Sequence, residues 1–101
     1  MCAASRITHL NRTGMKAFSD GNLANAEFLL QQALRQARQL NSDTFEAKIR
    51  NNLGLVCFKA GRLQEAREHF GHALAFIGGR IGSENRLYRA VQTNLAAAEA
   101  C

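Results

Sequence analysis

Residues 47–73 read AKIRNNLGLVCFKAGRLQEAREHFGHA, and this stretch decides the fold. Before Gly61, Phe45, Ile49, Leu53, Val56 and Ala60 recur on one face of a helix, with Cys57 beside them. After it, Leu63, Ala66, Phe70, Ala73, Leu74 and Ile77 form the stripe of a second helix. Gly54 inside the first helix, facing the small-large-small ladder Ala66, Phe70 and Ala73, describes two helices packed closely as a hairpin.

Working outward, Ile7, Leu10, Gly14, Ala17 and Phe18 trace a helical face over about residues 4–19. Asp20-Gly21-Asn22 breaks it, since these are turn residues and Gly21 takes the left-handed conformation at little steric cost. Leu23, Ala26, Leu30, Ala33, Leu34 and Ala37 stripe a helix over about 23–40. Asn41-Ser42-Asp43 ends it and starts the next, with Asp43 expected as N-cap and Glu46 reaching back as in a capping box. Downstream, Gly78-Gly79 and Gly82 are expected to loosen the chain. Ser83 is expected to cap a last helix striped by Leu87, Val91, Leu95 and Ala98.

The stripes are copies of one another. Leu63, Ala66, Phe70, Ala73, Leu74 and Ile77 repeat Leu23, Ala26, Leu30, Ala33, Leu34 and Ala37 position for position, and the same shift carries Gly14 and Gly21 onto Gly54 and Gly61. A slightly longer shift carries Phe45, Ile49, Leu53 and Val56 onto Leu87, Val91, Leu95 and Ala98, and it brings Asn52 onto Asn94. An amphipathic match alone does not also align both glycines and the asparagine. The expected fold is therefore all-α, with about five helices as antiparallel hairpins: repeat 1 over 4–42, repeat 2 over 43–82, and a C-terminal half-repeat or capping helix over 83–101.

These residues resemble the tetratricopeptide repeat, whose pattern is a leucine-glycine pair in the first helix and an alanine, a large apolar residue and an alanine down the second. Leu53, Gly54, Ala66, Phe70 and Ala73 match in the middle copy; Gly14, Ala26, Leu30 and Ala33 match in the first, with Thr13 in place of the leucine. The last helix offers Leu95 and Ala96. Arg50 and Cys57 stand where the family has aromatic residues, and its closing proline is missing. The step from Gly14 to Gly54, or from Asn52 to Asn94, is longer than the common repeat of about 34 residues. In this it resembles the longer repeats of kinesin light chains and of several bacterial regulators. The resemblance implies a short right-handed superhelix that binds partners on the concave surface lined by the first helix of each hairpin.

On that surface the expected peptide-binding residues are Asn11, Arg12 and Met15, then Lys48, Asn51, Asn52, Leu55 and Lys59, then Asn94. Arg12, Asn52 and Asn94 occupy one place in successive repeats. An asparagine side chain offers a donor and an acceptor, so equivalents one repeat apart suit the backbone of an extended peptide. The resemblance implies such a ladder for Asn52 and Asn94, with Arg12 and Lys48 available for a carboxylate. The family's clamp for chaperone tails needs lysines and asparagines at five places, of which only Asn52 is supplied, while Asn11, Met15, Ala90 and Asn94 stand at the other four.

Composition narrows the partner. Thirteen Lys and Arg against eight Asp and Glu leave a net charge of +5, which favours acidic partners, yet the cations are scattered singly through the helices. Nucleic acid is the lesser expectation, because Tyr88 and most phenylalanines belong to the core and leave no stacking groups beside the cations. Cys2, Cys57 and Cys101 imply no disulfide framework, so a reducing cytoplasm fits best. No run approaches the ~20 apolar residues of a membrane span, and no cleavable apolar leader is evident. His69 and His72 are expected on the outer, polar side of the fourth helix, with no further ligand to complete a metal set, and Cys57 in the core. No phosphate loop, carboxylate pair or nucleophile triad appears, so neither an enzyme nor a cofactor is expected. The leading expectation is a protein-interaction adaptor. The alternative is an assembly unit that self-associates through an uncovered face of the last helix around Leu87, Tyr88, Val91 and Leu95.

Overall fold

Among the described residues, five helices account for nearly all of the chain: α1 (Ala3–Ser19), α2 (Leu23–Gln39), α3 (Asp43–Lys59), α4 (Leu63–Arg80) and α5 (Arg86–Ala100). They are seen in a computed structural model, which describes residues 2–80 and 85–101. Consecutive helices pack antiparallel, α1 on α2, α2 on α3, α3 on α4 and α4 on α5, so the molecule is a stack of two hairpins closed by a single helix. Its extents are 40 × 32 × 18 Å.

The three short turns are one device used three times. At the first, Gly21 N–H donates to the Phe18 carbonyl at 3.0 Å and Asn22 N–H to the Ala17 carbonyl at 2.9 Å; at the third, Gly61 N–H donates to Phe58 at 3.1 Å and Arg62 N–H to Cys57 at 2.9 Å. Between them, Asn41 and Ser42 N–H groups donate to Arg38 and Ala37 carbonyls, each at 3.0 Å. All three turns need a left-handed residue to return the chain: Gly21 (φ 83°), Asn41 (φ 55°) and Gly61 (φ 82°). Asparagine tolerates that region better than other side chains, which is why the middle turn works without glycine.

The cap of α3 differs from expectation. Ser42, with extended backbone, is the N-cap and its hydroxyl accepts from Phe45 N–H at 3.2 Å, while Asp43 is already helical. Glu46 does not close a capping box; it is buried and turned towards two arginines. At the other end, α4 runs through Gly78 and Gly79 to Arg80 where loosening was expected. A side-chain carbon at Gly78 would stand 3.4 Å from the Tyr88 ring, so packing of α5 holds this end of the helix. The expected cap Ser83 lies outside the described residues; Asn85 is the N-cap of α5 and accepts from Leu87 N–H at 2.8 Å.

The core has two contiguous parts. Ile7, Ala17, Ala26, Leu30, Ala33, Leu34, Ala37, Ile49, Leu53 and Val56 join α1, α2 and α3, and Ala47, Cys57, Ala66, Phe70, Ala73, Ile77, Val91 and Ala98 join α3, α4 and α5. The helix crossings sit on the glycines. A Cβ at Gly54 would lie 2.4 Å from Phe70 Cε1, and one at Gly14 would lie 2.9 Å from Leu30 Cγ. No side chain fits between α3 and the fully buried Phe70 ring.

Gly54→Ala gains about 1 kcal/mol of helix propensity but forces the ring to move. The expected net result in urea unfolding is a destabilisation of about 1–3 kcal/mol. Phe70→Leu in the same chain should relieve part of it, so the double variant loses less than the two singles together; fully additive losses would show that the ring and the glycine do not constrain each other.

Candidate functional site

The first helices of the array touch one another directly, α1 against α3 and α3 against α5, whereas the described residues of α2 and α4 share no such contact. The stack therefore curves, with α1, α3 and α5 on the inner side and α2 and α4 spread along the outer side. Two hydrogen bonds between side chains fix this inner face. Asn52 Nδ2 donates to Asn11 Oδ1 at 2.8 Å, and Asn94 Nδ2 donates to Asn51 Oδ1 at 2.9 Å. The asparagines are thus bonded in pairs, each pair bridging adjacent repeats. Asn52 and Asn94 were expected as a ladder at one place in successive repeats; their pairing with the residue one place out of that register was the part that repeat alignment missed. The signal was present as sequence separations of 41 and 43, one to either side of the shift that relates Asn52 to Asn94.

Around the pairs, Arg12, Lys48 and Lys59 are exposed, Met15 and Leu55 are half-buried, and Asn51 is all but enclosed. Each pair satisfies one donor and one acceptor. The Asn52 and Asn94 carbonyl oxygens, the second N–H of each, and the N–H groups of half-buried Asn11 take no part in the pairing. Shallow depressions flank the row, one of 390 Å³ lined by Ala4, Ser5, Thr8, His9 and Arg12 on α1, and one of 480 Å³ lined by Arg86, Arg89, Ala90 and Thr93 on α5.

Behind the face lies a buried ionic network that sequence reasoning missed. Arg50 Nε and Arg38 Nε approach Glu46 Oε2 at 3.0 and 3.3 Å, and the Arg50 and Glu46 side chains are 8% and 10% exposed. Arg50 occupies a place where the family has an aromatic residue, and Glu46 one turn earlier neutralises it. That i, i+4 pair was legible, but only with the knowledge that position 50 faces inward. A pair this enclosed adds little net stability, and losing one partner strands the other.

A second cluster ties the hairpins together from outside. Arg62 pairs with Glu27 of α2 at 2.9 Å and Glu65 of α4 at 3.3 Å. The Cys57 thiol lies beside them, its ligand atom and those of the two carboxylates all within 4.8 Å of one another. Burial pushes that thiol above its ordinary pKa, and Arg62 opposes the shift, so Cys57 is held protonated in the core. Both carboxylates share the one Arg62 guanidinium, and the cluster is an ion-paired seam.

His69 is a correction. It was expected on the outer polar side of α4, but it is half-buried, and its Nδ1 is enclosed without a hydrogen-bond partner among the described residues. Burial lowers its pKa below the ordinary value, and Arg50 of α3 and His72 reinforce this, against the opposing charges of Glu65 and of Glu27 on α2. His72 is exposed. In the last helix Leu87, Tyr88 and Leu95 pack against the second core cluster and Val91 is fully buried; the exposed large apolar residues among those described are Phe28 and Leu40 of the first hairpin. No described helix is long and apolar enough to cross a membrane.

Comparison with known proteins agrees with this geometry. A family model described as tetratricopeptide repeat matches residues 5–77, which spans α1 to α4. No curated protein and no solved structure matches the chain.

The buried His69 sets a pH dependence. Its folded-state pKa is lowered, so the unfolded chain binds the proton more readily, and stability is full above the unfolded value of about 6.5 and falls as pH drops below it. Urea midpoints measured from pH 7.5 to 5.5 should decline in the wild type and decline less in His69→Gln; parallel curves would show that His69 does not carry the effect.

Proposed function

The chain belongs to the tetratricopeptide-repeat family, and on that premise we propose that it is an adaptor whose inner face binds an extended segment of a partner protein. The family is generally a protein–protein interaction module and typically a non-enzymatic scaffold. The observation that carries the finer reading is the pairing of Asn52 with Asn11 and of Asn94 with Asn51. Asn52 and Asn94, both half-buried, each keep a carbonyl oxygen and an N–H that the pairing does not use, the two kinds of group needed to engage one peptide unit of an extended chain. Because each asparagine is held by its neighbour, little side-chain freedom is lost when the ligand binds.

The two pairs are stations one repeat apart, on units taken as residues 4–42, 43–82 and 83–101. Half-buried Met15 and Leu55 supply apolar contact beside them, and Lys59 a charge at the far end of α3. Arg12 and Lys48 supply charge for an acidic partner. The free thiols Cys2 and Cys101 at exposed positions suit a reducing compartment such as the cytoplasm. Self-association through the last helix is less well supported, since its large apolar side chains are at least half-buried against α4.

The reading is tested with an array of immobilised peptides, probed with the wild type and with Asn52→Ala/Asn94→Ala. Losing two hydrogen bonds should weaken the captured peptides by about tenfold or more, with unfolding cooperativity retained. Equal capture by both proteins would remove the asparagine stations from the account.

A further inference from the structure

Three side chains with metal-binding atoms converge from three helices: Glu27 of α2, Cys57 of α3 and Glu65 of α4. Sequence spacing does not flag the set, because no two of its members share a helix. Cys57 is fully buried, and its thiol has no hydrogen-bond partner among the described residues, although both carboxylates lie within 4.8 Å of it. A buried polar group left in that state is a donor without a use.

Packing does not ask for the sulfur. The shift that carries Gly14 onto Gly54 carries Ala17 onto Cys57, and Ala17 is buried in the first hairpin with a methyl group alone. The same shift carries Asn22 and Asn25 onto Arg62 and Glu65, so the first hairpin has neither a thiol nor a charge at these places.

A cation already stands among the donors. Arg62 Nη2 lies 2.9 Å from Glu27 and Nη1 lies 3.3 Å from Glu65, on a side chain 38% exposed, which swings into solvent without breaking core contacts. With the thiol protonated, the two carboxylates and the guanidinium carry a single net negative charge. Exchanging the guanidinium for a divalent cation, with the thiol proton released to solvent, leaves that net charge the same. The S–H bond breaks, a sulfur–metal bond forms, and nothing is oxidised or reduced.

We propose that Glu27, Cys57 and Glu65 form a binding site for one thiophilic divalent cation, zinc above all, which takes the place of the Arg62 guanidinium and keeps a water as its fourth ligand. Tetrahedral zinc sets thiolate and carboxylate donors about 3.3–3.6 Å apart, so the three atoms close by about an ångström, chiefly through the exposed Glu65. Mixed sulfur and oxygen donors suit zinc and cobalt, whereas magnesium and calcium take oxygen alone. Bound there, the ion joins α2, α3 and α4 directly. It clamps the first hairpin to the second on the side away from the asparagine pairs, and it does not depend on what the inner face binds.

The test uses the full chain with Cys2→Ser and Cys101→Ser, which leaves Cys57 as the sole thiol. Cobalt(II) is the spectroscopic probe, and zinc is added by competition and calorimetry. One cobalt per chain is expected, with a thiolate-to-cobalt charge-transfer band in the near ultraviolet that zinc abolishes, and zinc should raise the thermal unfolding midpoint. Cys57→Ala, which installs the residue found at Ala17, should remove both the band and the zinc-induced rise while unfolding stays cooperative. Glu27→Gln and Glu65→Gln should each weaken zinc about tenfold or more. Arg62→Gln should bind zinc more tightly, because the competing cation is gone.

Absence of the band at millimolar cobalt, or an equal zinc-induced rise in Cys57→Ala, would overturn the site. Unchanged zinc affinity in both glutamate variants would overturn the carboxylate ligands, and weaker binding by Arg62→Gln would overturn the exchange of one cation for the other.

Discussion

The contact on which the molecule depends is the approach of α3 to α4 at Gly54, where the Phe70 ring fills the space a side chain would take. Because the crossing is that close, the two helices act as one rigid hairpin, and Ala66 and Ala73 on either side of the ring keep the approach short along its length. Gly14 and Leu30 repeat the arrangement in the first hairpin with a smaller plug. The hairpins are then stacked by shared core: Ile49, Leu53 and Val56 of α3 look back to α1 and α2, while Ala47 and Cys57 of the same helix look forward to α4 and α5. The helix α3 is thus buried on two sides, and its residues decide how one repeat meets the next.

That double burial explains both kinds of polar group found on α3. On the inner side Asn51 and Asn52 face opposite neighbours, Asn52 towards α1 and Asn51 towards α5, so one helix supplies a member to each bridge. Such bonds are directional, and they set the pitch of the inner face more tightly than apolar contact does. On the other side Arg50 enters the interior with Glu46 as its counter-charge, in place of the aromatic contact found elsewhere in the family. The thiol of Cys57 fills the second such place.

The hairpin order was legible from the sequence because glycine, alanine and large apolar residues have few interchangeable uses at a close helix crossing. Leu53, Gly54, Ala66, Phe70 and Ala73 could be placed without any structure, and so could the turns at Gly21 and Gly61. What could not be read depended on direction within a turn of helix. Ser42 and Asp43 are both good caps, and only the backbone decides between them. His69 is three residues from the exposed His72, yet one faces partly inward. The asparagine pairing escaped because adjacent helices are offset by one residue from the repeat register, an offset that no apolar stripe records. Buried Arg50 escaped because charge is ordinarily a sign of surface, and its neutraliser is recognisable only once its environment is known.

The central claim is that the asparagine-paired face of α1, α3 and α5 is the one that meets a partner. Backbone amide chemical-shift mapping of the isotopically labelled chain during titration with a captured peptide tests it most directly. The largest shifts are expected at Asn11, Asn51, Asn52 and Asn94 and along the inner side of α1, α3 and α5, with α2 and the outer side of α4 unmoved. Shifts concentrated instead on α2 and α4, around the exposed Phe28 or the Arg62 seam, would contradict the account.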